Sequence, residues 1–263
     1  MLYDILNLTT RNLVDNNNDG GVFLRLKIQL DIQKVPQHYR MYLLSFIKKT
    51  MRLGDEQLYK DLYGAGKKPK CLTFSFYMTQ FKLIGDEYHM KNATLTFSTS
   101  DMNVAVAFIN GISQTKKFEH PDYPFNIQNV QISNEKSIRT NVVKFTTLSP
   151  ILLEDKQGKP LLISDAAYEQ ELNIVTNKKF ESLYGRTLLE PIQVISHNLR
   201  KQVVKESNRH ANDKTLFYTA QKGDITLKGH IDDLKLLYMD GILNRSAQGF
   251  GTLEVVNCYE DIN

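Results

Sequence analysis

Three glycines and an arginine share the stretch Gly241-Ile242-Leu243-Asn244-Arg245-Ser246-Ala247-Gln248-Gly249-Phe250-Gly251, between an amphipathic run and a final apolar alternation. Glycine tolerates positive φ and leaves nearby amides uncovered, and a guanidinium pairs fork-wise with phosphate oxygens. The amides around Gly241, Gly249 and Gly251, with Arg245, therefore read as an anion-cradling loop. The same composition also makes a tight turn into an edge strand. Lys67, Lys68 and Lys70 form a second cationic set just after Tyr63. Cations beside a phenol favour its phenolate, so Tyr63 reads as a group that orients or deprotonates a hydroxyl; the alternative is a helix-end aromatic packed on the core. His38, in Val35-Pro36-Gln37-His38-Tyr39-Arg40, titrates in the useful range. A helix amino terminus favours its neutral form and suits a general base, the alternative being a surface histidine in the first turn. Arg40, about half a turn from His38, and Arg52, on the polar side of the same helix, are further phosphate ligands or simply solvated cations.

The elements that must position these groups follow from periodicity. After a polar arm ending in Asn16-Asn17-Asn18-Asp19-Gly20-Gly21, Leu24, Leu26, Ile28, Leu30 and Ile32 alternate with Arg25, Lys27, Gln29 and Asp31, a half-buried strand with one polar face. Pro36 opens a helix with Tyr39, Leu43, Phe46, Ile47 and Met51 at helical spacing, and Gly54 ends it. A helical turn over Asp55 to Tyr63, strands over Cys71 to Met78 and Asn92 to Ser98, a helix from Asp101 to Gly111 and a strand over Asn126 to Ser133 complete β-α-β-β-α-β. The order then repeats: a strand over Asn141 to Leu148, helical stretches from Asp165 to Lys205, strands near Thr215 to Thr219 and Asp224 to Lys228, a helix over Ile231 to Met239, and a strand over Phe250 to Val256. The expected fold class is α+β, two tandem ferredoxin-like units, with an arm over 1–21, a first domain over 22–137 and a second over 138–263.

The chain has 263 residues, 41% hydrophobic and 24% charged, enough for one large core or two modest ones. Net charge is only +4, so a nucleic-acid preference must come from clusters: the one before Cys71, Lys116 with Lys117, Lys178 with Lys179, and Arg200, Lys201, Lys205 and Arg209. Each cluster is also explained by a solvated face. Cys71 and Cys258 lie too far apart in sequence for a disulfide framework or metal-ligand spacing, which fits a reducing cytoplasm and no metal. No apolar run approaches the roughly 18 residues that span a bilayer.

Gly223-Asp224-Ile225-Thr226-Leu227-Lys228-Gly229 together with Gly241 to Gly251 resembles the carboxy-terminal signature of the CRISPR-associated repeat-processing endoribonucleases of the RAMP superfamily. Lys70-Cys71-Leu72-Thr73-Phe74-Ser75 resembles that family's "K-x-x-T-F-S" strand, and Phe145-Thr146-Thr147-Leu148-Ser149-Pro150 its mid-chain "T-L-S-P". The resemblance implies the same duplicated fold and a cleavage without cofactor, in which the RNA's own 2′-hydroxyl attacks the adjacent phosphate. Such a reaction needs a base, an acid and a cation. His38, Tyr63 and Lys67 are the candidate catalytic residues, while Lys68, Lys70, Arg40, Arg52, Arg245 and the glycines would bind RNA. Many members carry a leucine-histidine pair where this chain has Leu62-Tyr63, which leaves open a repeat-binding homologue that does not cut or a structural RAMP subunit. The implied partners are CRISPR repeat RNA, single-stranded or hairpin, effector-complex subunits and a second copy of the chain. An unrelated two-lobed metabolic protein remains the reading outside this class.

Overall fold

The computed structural model describes residues 24–64, 66, 68–133, 136–208 and 214–260; the Met1 to Gly21 arm, Lys67 and Arg209 lie outside the described residues. Strand β1 (Leu24–Asp31) buries Leu24, Leu26, Ile28 and Leu30 and exposes Lys27, Gln29 and Asp31, as its alternation predicts. Arg25 breaks the rule and is 1% exposed. β2 (Lys34–Pro36) leads into α1 (Tyr39–Gly54), which buries Leu43, Phe46, Ile47 and Met51, and α2 (Glu56–Gly64) follows. Then come β3 (Thr73–Thr79), β4 (Lys82–Ile84), β5 (Glu87–His89) and β6 (Asn92–Thr99). The Asp101 carboxylate accepts from the amides of Asn103 and Val104 and so caps α3 (Met102–Gln114), before β7 (Lys117–Phe118) and β8 (Phe125–Ile132). The main sheet runs β3-β6-β1-β8-β7, and β2-β5-β4 form a small second one.

The second unit repeats the plan with β9 (Val142–Thr147), α4 (Tyr168–Tyr184), β10 (Gln193–His197), β13 (Asp224–Lys228), α5 (Ile231–Asp240) and β14 (Leu253–Tyr259), in sheet order β10-β13-β9-β14. Both sheets thus place the first strand between the third and the fourth, the ferredoxin-like arrangement. Between β10 and β13 stands a separate hairpin, β11 (Arg200–Asn208) paired with β12 (Lys214–Lys222). The expectation of helix from Asp165 to Lys205 fails beyond Tyr184, because Gly185 ends α4 in the left-handed region. The strand pairing with β13 is β10, whereas Thr215 to Thr219 belongs to the hairpin. β10 is an exposed edge strand, and β11 buries only Val204 and Glu206 in its described middle, so neither carries a clean apolar alternation. A small cluster of Leu152, Val204, Ala220 and Phe250 fastens the hairpin to the rest. No helix among the described residues is long and apolar enough to cross a membrane.

Helices α1 and α3 approach closely at two glycines. A Cβ on Gly54 would lie 1.8 Å from the carbonyl oxygen of Ala107, and one on Gly111 1.8 Å from that of Thr50. Gly→Ala inside a helix ordinarily stabilises by about 0.5–1 kcal/mol. At Gly111 the clash reverses the sign: Gly111→Ala should destabilise by about 1–3 kcal/mol, measured by urea denaturation. An unchanged or raised midpoint would contradict the contact.

Candidate active site

The glycine-rich loop joins the two units. Gly241, Gly249 and Gly251 have φ of 77°, 80° and 67°. A Cβ on Gly241 would lie 2.8 Å from Thr73 Oγ1, one on Gly249 2.7 Å from the Phe74 ring, and one on Gly251 2.0 Å from the Ile242 oxygen. The loop therefore lies directly on β3. The Thr252 hydroxyl donates to Phe74 O at 2.7 Å, and the Thr73 hydroxyl donates to Phe250 O at 3.3 Å. The amide of Gly251 donates to Pro150 O at 2.9 Å and that of Gly249 to Ser246 O at 3.1 Å. The Gly249 and Gly251 amides are thus engaged inside the protein. What requires glycine here is close approach and positive φ.

Buried cations brace the same seam. Lys179, fully enclosed, donates to Asp240 O, Gly241 O and Ser246 Oγ at 3.0, 2.6 and 3.0 Å, and burial lowers its pKa to about 8. Burial pushes the Asp240 carboxyl up, although it accepts from the Ser100 amide and hydroxyl and from the Tyr184 hydroxyl. Arg25 donates to Leu253 O at 2.8 Å and Tyr238 O at 2.7 Å, and stacks 3.9 Å above the Tyr238 ring. Sequence reasoning missed it, because strict alternation assigns Arg25 to the polar face.

Arg40 is 5% exposed. Its Nη1 pairs with Glu206 at 3.2 Å, its Nε donates to Gly249 O at 3.2 Å, and it lies 4.8 Å over Phe250. Expected from sequence as a phosphate ligand, Arg40 commits its Nε and Nη1 donors to this buried joint. Arg52 is exposed and pairs with Glu56 one turn on at 3.2 Å. Arg245, in the left-handed region, pairs with Glu154 at 3.3 Å and stacks 4.6 Å over Tyr218, its side chain 34% exposed.

Tyr63 carries the clearest cationic arrangement. The ammonium groups of Lys48 and Lys70 lie 4.6 and 5.0 Å from its ring centroid, and Tyr59 packs 5.3 Å away. They hold the ring face rather than the oxygen. The hydroxyl is buried without a hydrogen-bond partner, and burial, then Tyr59, pushes its pKa up. A phenolate is therefore disfavoured at Tyr63, opposite to the expectation from the neighbouring lysines. Burial lowers the pKa of Lys48; burial and then Lys48 lower that of Lys70. Lys48, which sequence reasoning missed, gave only a weak signal, one turn before Arg52 on α1. Lys70 also donates to the carbonyl of Lys68, which is exposed.

His38 sits at the amino end of α1 without a side-chain capping bond, near Asp86, whose carboxyl Lys205 at 2.7 Å and more weakly His38 hold below its ordinary range. Ten residues of helix, about 15 Å, separate His38 from Lys48. The two sequence candidates for proton transfer, His38 and Tyr63, are thus not brought together.

The profile of the CRISPR-associated protein Cas6 N-terminal region matches residues 34–131, and that of the Cas6 C-terminal region matches residues 133–255. The chain belongs to the Cas6 family. No curated protein matches it in sequence. Among solved structures it is similar to the product of a Cas6-related gene from Pyrococcus furiosus, at TM-score 0.74 and 20% identity over 90% of this chain and 99% of that one. It also resembles a RAMP protein binding different RNA substrates, at TM-score 0.71 and 17% identity over 89% and 100%. A third is Thermus thermophilus Cas6 in a product complex, at TM-score 0.65 and 12% identity over 89% and 100%. At these identities the likeness is one of fold, and it agrees with the two ferredoxin-like sheets of this Cas6 chain.

The Arg40–Glu206 pair makes a prediction with a pH signature. Burial already raises the Glu206 carboxyl against the opposing pull of Arg40. Arg40→Met leaves that carboxylate unpaired, which costs about 3–5 kcal/mol for a buried pair. With Arg40 gone the folded-state pKa of Glu206 rises further above its unfolded value. The protonated form then supports the fold at low pH, and this support is lost as pH rises. Urea midpoints of Arg40→Met should accordingly fall further below wild type at pH 7 than at pH 4; an equal deficit at both would contradict the buried pair.

Proposed function

We propose that this Cas6-family chain binds CRISPR repeat RNA and cuts the precursor transcript without a metal ion. The 2′-oxygen forms a bond to the adjacent phosphorus as the bond to the 5′-oxygen breaks. The 2′ proton passes to a base, the leaving oxygen takes a proton, and the ends are a 2′,3′-cyclic phosphate and a 5′-hydroxyl. The observation that carries this reading is the Lys48 and Lys70 pair over Tyr63, at the place where the family resemblance expects a histidine. Two ammonium groups held close favour the loss of one proton, so a mixed pair offers a base and a cation at once. Lys70, which feels both burial and Lys48, is assigned the base, and Lys48 the cation for phosphorane charge, with Lys67 and Lys68 adding phosphate contacts. Tyr63 serves as the apolar platform that holds the pair. His38 contacts RNA outside this centre. The RNA substrates and product complex named for relatives of the fold support the substrate class.

One observation favours a second reading, a homologue that binds repeats without cutting. The Tyr63 hydroxyl is buried, so the residue standing in the histidine's place presents no proton-transfer atom to a substrate.

The test is single-turnover cleavage of end-labelled repeat RNA in EDTA, beside copies carrying 2′-deoxy at each nucleotide. Cleavage should survive EDTA and stop at one deoxy position. Lys70→Ala should slow it by about 10²- to 10⁴-fold. Burial keeps the Tyr63 phenol neutral above its ordinary range, so Tyr63→Phe should leave the pH–rate profile unchanged in shape. Tight binding with no cleavage would select the second reading.

A further inference from the structure

A cleft of about 430 Å³, outside the Lys48 and Lys70 centre, opens between β3 and the β11–β12 hairpin. Three rings from different parts of the chain line it while remaining open to solvent: Tyr77 on β3 is 69% exposed, Phe81 just after it 53%, and Phe217 on β12 67%. Large apolar rings gathered at one concavity mark a recognition surface rather than incomplete burial. The rings stand on a firm base. Phe81 packs edge-on to Tyr88 at 5.7 Å, Tyr88 to Tyr39 at 6.1 Å, and Tyr39 on Phe76 at 5.3 Å. The Phe81 face is therefore presented at little entropic cost.

Three cations border this cleft, two of them ion-paired: Arg40 with Glu206 at 3.2 Å and Lys205 with the exposed Asp86 at 2.7 Å. Lys222, the third, adds a cation for which no carboxylate lies within ion-pair distance among the described residues. Lys205 lies directly across the hairpin from Phe217, putting a cation beside a ring. Burial and then Arg40 lower the pKa of Lys222, so proximity of a polyanion would stabilise its charged form. Apolar faces beside cations fit a base joined to a phosphate.

We propose that this cleft is a second RNA subsite that takes unpaired bases by stacking on Tyr77, Phe81 and Phe217, with the intervening phosphates held by Lys205 and Lys222. The proposal rests on the reading of the chain as an RNA binder, and not on cleavage. Duplex bases hide their faces in the stack, so only single-stranded segments fit, and stacking accepts any base. The subsite borders the Tyr39 end of α1, nine residues or about 14 Å along the helix from Lys48. A repeat RNA occupying both places would thus be held by unpaired nucleotides away from the scissile phosphate.

Fluorescence anisotropy tests it with labelled repeat RNA, an oligoadenylate of equal length and a blunt RNA duplex. The oligoadenylate should compete for the cleft, and the duplex should not. Tyr77→Ala and Phe217→Ala should each weaken binding of the single-stranded probes by about 5- to 150-fold, while Phe217→Tyr retains it. All three positions are exposed, and circular dichroism verifies that the variants fold. Ring variants with affinities within twofold of wild type, beside a wild type that binds tightly, would overturn the subsite and leave the processing reading intact. Wild type that bound no RNA would overturn both. Ring variants that lost only a co-purifying protein would replace the subsite with a protein interface.

Discussion

The molecule depends on a guanidinium buried between its halves. Arg25 rises from the central strand of the first sheet and spends its donors on the Tyr238 and Leu253 carbonyls of the second unit, beside the Glu254 carboxylate at 3.4 Å. A cation with almost no solvent access is tolerable only when its hydrogen bonds are satisfied and an opposite charge is near. Separation of the units would strip Arg25 of the Tyr238 and Leu253 carbonyls and of the Glu254 carboxylate.

The glycine-rich loop fits against that joint. With Arg25 fixing α5 and β14 above β3, the chain between them must cross the Thr73–Phe74 edge at distances that exclude a side chain. Gly241, Gly249 and Gly251 meet that steric demand, and Lys179 satisfies the carbonyls at the loop's start. Arg40 extends the seam outward to Gly249 and to Glu206 on the hairpin. The hairpin is held by the buried Arg40–Glu206 pair and by the cluster of Leu152, Val204, Ala220 and Phe250, and the aromatic cleft is the space left between it and β3.

What the sequence discloses follows from how each residue is buried. β1, α1 and α3 pack one face on one core, so period two or a helical stripe is written plainly in Leu24 to Asp31 and in Leu43, Phe46, Ile47 and Met51. β10 has neighbours on one side only, and β11 buries a carboxylate, so their patterns look polar. The special character of Gly241 to Gly251 is legible, but its purpose is not, because positive φ and open amides suit a phosphate and a packed seam alike. Arg25 and Arg40 are hidden for a related reason: a long cation reads as surface unless its partners, here more than 160 residues away, are known. Lys48 is one of several cations on α1, and only the fold shows which of them reaches Tyr63.

A buried tyrosine at position 63 sets the chemistry demanded of its surroundings. A histidine would bring its own acid–base function near neutral pH. A buried tyrosine brings none, but its ring accepts two ammonium groups on an apolar surface. Burial lowers the pKa of both lysines, and the neighbouring Lys48 lowers that of Lys70 further. If the centre cuts RNA, the proton-transfer role falls to the pair of lysines that rests on the Tyr63 ring. The cation for the phosphorane and the base for the 2′-oxygen then rest on one ring, and the charge of Lys48 favours the neutral form of Lys70.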